Sequence, residues 1–270
     1  MNAPFSSTPP VEPFYLDAEH GLRFCLHHPP HPLRPQRGAI IYLPPLGDEM
    51  ERTRRMAHLQ ARAFAAQGFA VLQLDLFGCG DSSGQFADAR WPIWQADVLQ
   101  AQAWLAARYP PPYLLWGCRF GSLLALEHAA RFGAHGLILW HPFLSGRSCL
   151  SQFLRSAGPS IVKLRSHLWQ HGHLDVDGYS LSAELARDID CLDLPRLQLP
   201  ACDIDWFALP GPAGARSETQ VLRLAQDWQR HQVRLRFHPV NGLPFWSSRT
   251  ILTCPALLRA TRVLSELEPV

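Results

Sequence analysis

The chain has no Cys-x-x-Cys pair, no run of one charge, no internal repeat, and no apolar stretch near the ~18 residues of a membrane span. Each absence closes a class. Seven cysteines (Cys25, Cys79, Cys118, Cys149, Cys191, Cys202 and Cys254) are scattered and odd in number, which reads as free thiols in a reducing compartment rather than a disulfide framework. Ligand-like spacings are missing among these and the 13 histidines, with His171 and His173 the nearest approach, so no metal site and no cofactor are expected. A net charge of +2 without a basic block argues against a nucleic-acid partner. The opening MNAPFSSTPPVEP lacks a basic start and an apolar h-region, so residues 1–13 read as a mobile segment and not a signal peptide. The expected location is the cytoplasm.

What remains is an ordinary globular composition, with 47% hydrophobic and 18% charged residues over 270 positions. That length suits one α/β domain, residues 14–270, better than two. Two short apolar runs around Glu19-His20-Gly21 predict a hairpin from Phe14 to Leu26. His27, His28 and His31 fall in a Pro-rich stretch and are expected to face solvent. Gly38 to Leu43 is apolar on both faces and predicts a buried strand. Met56, Leu59, Ala63 and Ala66 recur at helical spacing behind Asp48, and Gly68 is a C-terminal stop.

Strands at Ala70 to Asp75 and Gly136 to Trp140 and a helix at Trp94 to Arg108 continue the alternation, which implies a mostly parallel sheet covered by helices on both faces. From Ser148 to Asp193 the pattern turns to helices and loops with no clear strand, an insertion expected to cap the C-terminal edge of the sheet. Alternation resumes with a strand at Ile204 to Ala208, a helix at Glu218 to Gln232, a strand at Val233 to Val240 and a helix at Ala256 to Leu267.

The stretch on which function turns is Tyr113 to Ala130. An apolar strand meets Gly117-Cys118-Arg119-Phe120-Gly121, and a helix follows at once. This is the strand, sharp turn and helix of a nucleophile elbow, G-x-S-x-G, except that its centre is Arg119. A guanidinium is always protonated and has no lone pair for attack, so Arg119 cannot be an acyl-transfer nucleophile.

These residues resemble the α/β-hydrolase superfamily over nearly the whole chain, with the Asp75 to Ser82 string (D-x-x-G-x-G-x-S) one strand and helix before the elbow. A closer similarity is to the bacterial exosortase A system-associated hydrolase 2 family. It rests on PPLGDEMERTRRM from Pro44, DLFGCGDSSGQFADARW from Asp75, WGCRFGSLLA from Trp116 and LWHPFLSGRSCLSQFLR from Leu139. Gly178-Tyr179-Ser180-Leu181 and Gly242-Leu243-Pro244-Phe245-Trp246 carry it further. The resemblance implies an α/β-hydrolase fold and an association with exopolysaccharide production and PEP-CTERM protein sorting. It makes a protein of that system a candidate partner.

In that superfamily the acid and the histidine follow the nucleophile in chain order. The turn after Ala208, Leu209 to Arg216, holds no carboxylate, while Asp203 and Asp205 precede it or lie within the strand. Pro244 stands where a histidine is expected, and His238 falls several residues early. The triad is empty at all three stations. Displaced candidates are Cys118, beside the elbow position but pointing away from it, Ser82 with Cys79 and Ser83 on a neighbouring loop, Ser122, and His141 as a stray base. Each needs a positioned base as well as proximity.

Arg119 has two readings. It pairs internally with Asp48 or Glu49, from the loop Leu46-Gly47-Asp48-Glu49 that corresponds to the oxyanion-hole region, or it faces a small anionic or carbohydrate-related ligand beside Pro244. Arg52, Arg54 and Arg55 read as a solvated helix face, and Trp91, Trp94 and Trp104 as core. The reading is a pseudoenzyme that binds a ligand or partner; the alternative is an ester or thioester hydrolase using unorthodox residues.

Overall fold

In the computed structural model, the described residues are 9–210, 214–248 and 250–264. Ten strands run in chain order: β1 Glu12–Ala18, β2 Gly21–His28, β3 Gly38–Leu43, β4 Phe69–Leu74, β5 Tyr113–Cys118, β6 Gly136–Trp140, β7 His173–Val176, β8 Tyr179–Ser182, β9 Asp203–Ala208 and β10 Arg234–Pro239. Eight helices accompany them: α1 Asp48–Ala66, α2 Trp91–Ala106, α3 Phe120–Phe132, α4 Gly146–Leu154, α5 Ile161–His171, α6 Ala183–Asp190, α7 Gly214–Gln229 and α8 Pro255–Leu264.

Eight strands form one sheet in the order β1-β2-β4-β3-β5-β6-β9-β10. It is antiparallel through β1, β2 and β4 and parallel from β4 to β10. This is the mostly parallel α/β-hydrolase architecture. The period of two along β3 divides the core: Ala39, Ile41 and Leu43 pack with α2 and α3, while Ile40 and Tyr42 pack with α1 and α8. All six residues of β3 and all five of β6 are buried, which explains their unbroken apolar character.

Three expectations need correction. The strand β1 already starts at Glu12, inside the stretch read as a mobile segment to residue 13; residues 1–8 lie outside the described residues. His27 and His28 do not face solvent. They end β2, paired with Leu72 and Val71, and are 4% and 3% exposed. Each ring finds a partner there: His27 meets Glu12 at 2.7 Å and Tyr109 at 2.8 Å, and His28 meets Gln73 at 2.8 Å.

Third, the segment between β6 and β9 is not strandless. Its helices begin at Gly146, and a two-stranded ladder, β7 with β8, turns on Asp177 (φ 48°) and Gly178 (φ 87°). Asp-Gly with both residues at positive φ is the two-residue hairpin turn whose twist matches its strands. Smaller shifts of boundary occur at α7, which ends at Gln229 where the chain reverses into Gln232 at φ 62°, and at α8, where residues 265–267 lie outside the described residues. Among the described residues no helix is long and apolar enough to cross a membrane.

Candidate functional site

At the C-terminal end of β5 the chain makes the full elbow. Arg119 sits at φ 55° and ψ −115°, a backbone region that costs about 1–3 kcal/mol for a residue with a side chain. Its N–H donates to Trp140 O at 2.9 Å, and its carbonyl accepts from Ser122 N at 3.1 Å. The flanking glycines are sterically required. A Cβ on Gly121 would lie 2.0 Å from Leu43 O, and one on Gly117 would lie 2.5 Å from Ser122 N.

The Arg119 side chain is 7% exposed and turns onto α1. Its Nε donates to one oxygen of Glu49 at 3.1 Å and its Nη2 to the other at 3.0 Å, a two-pronged pair. The guanidinium carbon lies 4.1 Å from the Phe143 ring centre and 4.8 Å from that of Trp246. A cation at the start of α3 is opposed by the helix dipole, and the nearby carboxylate offsets that cost. Asp48 takes no part; it pairs with Arg52 one turn on.

The other stations are filled by groups that cannot move a proton to the elbow. After β10 the turn closed by Ser247 N on Pro244 O tucks Phe245 and Trp246 into the protein, at 0% and 6% exposure. Pro244 therefore does not line the cavity, and Trp246 does. At the acid station Leu209 and Pro210 are described, while residues 211–213 of the predicted turn are not. Asp205 and His238 do meet, at 2.8 Å, with Arg236 on the same carboxylate. Burial pushes the Asp205 carboxyl up, but the bonds from Arg236 and His238 outweigh it and hold its pKa below the usual value. His238, on β10 and in register with Phe207 on β9, stacks on that ring. Three strand spacings separate β10 from β5, on the order of 14 Å, too far for a proton relay.

The displaced candidates do not assemble into a couple. Cys118 is fully buried on the α1 face of the sheet, and burial, with Glu49 adding, pushes its thiol pKa up. Ser82 Oγ donates to Asp75 O at 2.6 Å and accepts from Phe24 N at 2.9 Å, and Ser83 Oγ accepts from Leu22 N, so both tie the loop. Cys79 is buried and its thiol is pushed up likewise, mainly by burial. Ser122 is fully buried at the start of α3, and its hydroxyl has no hydrogen-bond partner.

His141, at φ 46° just past β6, accepts from Leu209 N at 3.0 Å through Nδ1, which places its proton on Nε2. Burial and then Arg119 lower its pKa to about 4. With its lone pair in use, this imidazole is a poor base.

Above the ion pair lies a cavity of about 220 Å³ between the sheet edge and the inserted segment. Phe120, Phe143, Phe153, Tyr179 and Trp246 give it aromatic walls, and Leu46, Asp48, Glu49, Arg52 and Asp177 add to them. Neither Arg119 nor Gly47 is part of the lining. The space over Gly47 is closed by Phe153, 2.7 Å from where a Cβ would stand. Asp48 is matched by Arg52 and Glu49 by Arg119, which leaves Asp177 as the wall's one surplus charge. The wall is therefore acidic and does not suit the anion that an exposed Arg119 would attract.

Sequence reasoning missed the aromatic lining. Phe143 and Trp246 were visible only as apolar residues after two strands, and Phe153 and Tyr179 come from the cap. Recognising Asp177-Gly178 as a hairpin turn is the signal that would have brought Tyr179 forward. Among the described residues no group of three or more potential ligands could hold a metal ion.

A family model described as serine aminopeptidase, S33, matches residues 35–197, more than half of the chain. No curated protein matches. Among solved structures, the chain is similar to Est1E from Butyrivibrio proteoclasticus with ferulic acid bound, at TM-score 0.67 and 15% identity over 93% of this chain and 97% of that one. It is similar to a thermostable carboxyl esterase from Bacillus coagulans in complex with glycerol, at TM-score 0.64 and 16% identity over 96% and 99%. A monoglyceride lipase from Saccharomyces cerevisiae gives TM-score 0.64 and 11% identity over 98% of each chain. At such identities the likeness is one of fold.

Proposed function

The chain belongs to the serine aminopeptidase, S33, family, and we propose that it uses that family's fold to bind a ligand without cleaving it. One observation carries the reading: the residue at the elbow is an arginine locked to Glu49 at 3.0 Å, where attack on a substrate would need a free nucleophile. The strained turn and its two glycines are kept, so the backbone geometry outlives the chemistry it serves elsewhere.

The ligand class follows from the wall. Aromatic faces cover the C–H surfaces of a sugar, and Asp48, Glu49 and Asp177 accept from its hydroxyls. A cavity of about 220 Å³ is on the scale of one sugar unit. A neutral carbohydrate-related ligand therefore fits better than an anionic one. This agrees with the resemblance to the exosortase A system-associated hydrolase 2 family, which supports a role in exopolysaccharide production, in the cytoplasm, beside a protein partner of that system.

Binding of neutral monosaccharides, followed by quenching of tryptophan fluorescence, tests the proposal. Trp246→Ala should weaken binding about tenfold, the scale of losing one stacked aromatic face. No saturable binding by any neutral sugar would remove the ligand class. The alternative reading, ester or thioester hydrolysis by unorthodox residues, rests on the retained elbow. Turnover that survives in the purified protein and vanishes in Cys118→Ala or His141→Ala would establish it.

A further inference from the structure

Two arginines of the predicted solvated face, Arg54 and Arg55, border a second cavity that the elbow does not use. It has about 280 Å³ and lies between α1 and the strands β2, β3 and β4. Its walls are apolar, from Phe24, Leu26, Met50 and Leu74. Arg54 is held in the wall by Asp75, at 2.9 and 3.3 Å, so that its charge is matched. Arg55 is exposed and has no carboxylate partner among the described residues. Arg54 also donates to both oxygens of Glu51, at 3.0 and 3.3 Å, so Arg55 is the lining arginine left without a carboxylate.

Tyr42 borders the same cavity at 4% exposure, with its buried hydroxyl beside Thr53 and Cys118 rather than open to a ligand. Apolar walls and one cation without a carboxylate partner together suit a small acid. We propose that this cavity is a binding site for a small carboxylic acid with an apolar body, its carboxylate answering Arg55 and its body lying against Phe24, Leu26 and Leu74. The site is independent of the elbow cavity, whose acidic wall would repel the same ligand.

Benzoate and its neutral amide, benzamide, titrated into the full chain by calorimetry, test the assignment. Benzoate should bind one to one and at least about fivefold more tightly than benzamide, the scale of one exposed ion pair. Arg55→Gln should erase that preference, and Leu26→Trp, which fills the cavity, should abolish binding. Because Arg55 is exposed, its variant will fold, and circular dichroism checks this for both. Trp246→Ala should leave benzoate affinity unchanged. Absence of saturable binding would overturn the proposal, and so would binding that is lost in Trp246→Ala but kept in Arg55→Gln.

Discussion

Removing the carboxylate of Glu49 leaves the Arg119 guanidinium at 7% exposure, between Phe143 and Trp246, with its two hydrogen bonds to that carboxylate gone. Breaking one side of a buried pair costs about 3–5 kcal/mol because the remaining charge stays desolvated. Glu49 is 24% exposed, so water can enter where it stood, and the lower end, about 3 kcal/mol, is the expected loss for Glu49→Ala. For a chain of this size each kcal/mol moves the thermal midpoint by about 2–4 °C, which gives a drop of about 6–12 °C. Removing Arg119 as well should return part of the loss, since no unpaired charge is then left behind. The double-mutant cycle should show a coupling of about 2 kcal/mol. A second readout separates charge from packing: with Glu49 gone, Arg119 is free to take an anion, so millimolar phosphate should stabilise Glu49→Ala and leave the parent unmoved. Urea unfolding of the four proteins of the cycle, with and without phosphate, measures all of this. A loss below about 0.5 kcal/mol with coupling near zero would refute the argument that the pair seals the elbow.

Two further outcomes follow from the same geometry. His28, His128 and His141 all have folded pKa values near 4, lowered first of all by burial, against an ordinary 6.5. The unfolded chain therefore binds more protons between those values, so stability should fall as the pH drops from about 6.5 towards 4 and be flat above that window; His128→Gln should make the fall of the urea midpoint shallower. Arg119→Ser restores a hydroxyl at the elbow without a base, because Nδ1 of His141 is taken by Leu209 and His238 lies three strands away. Its hydrolysis of a p-nitrophenyl ester should stay within about twofold of the parent's, and a rise of a hundredfold, the low end of what a positioned base contributes, would show that a base does reach the elbow.

The sheet was legible because its signals are local and repeated. Gly38 to Leu43 and Gly136 to Trp140 are apolar on both faces, and the strand limits they predict match β3 and β6. The empty triad was legible for a different reason: a missing residue type is visible without coordinates, and Arg119 and Pro244 are chemically unable to fill their stations. Burial along an edge was harder. His27 and His28 are polar residues before two prolines, and only the antiparallel pairing of β2 with β4, set by contacts more than forty residues apart, shows that the strand runs through them. The β7–β8 hairpin was lost because its strands are four residues each, too short for their polar and apolar alternation to stand out.

The cavity wall shows where sequence reasoning stops. Its five aromatics come from α3, from the loops after β6 and β10, and from the cap, and no periodicity links them. Arg119 draws attention as the anomaly of the elbow, and a cation at a helix N-terminus suggests an anion site. The structure selects the other reading, the internal pair, by a single contact. Once Glu49 takes both Nε and Nη2, the arginine lies beneath the lining, and what a ligand meets is carboxylate and aromatic carbon. The sign of a site is thus set by which member of a pair faces the opening, a property of side-chain packing that spacing along the chain does not encode. For the same reason Arg54 and Arg55, adjacent in sequence, differ in kind: Asp75 and Glu51 hold the first, and the second keeps its charge at the edge of an apolar cavity.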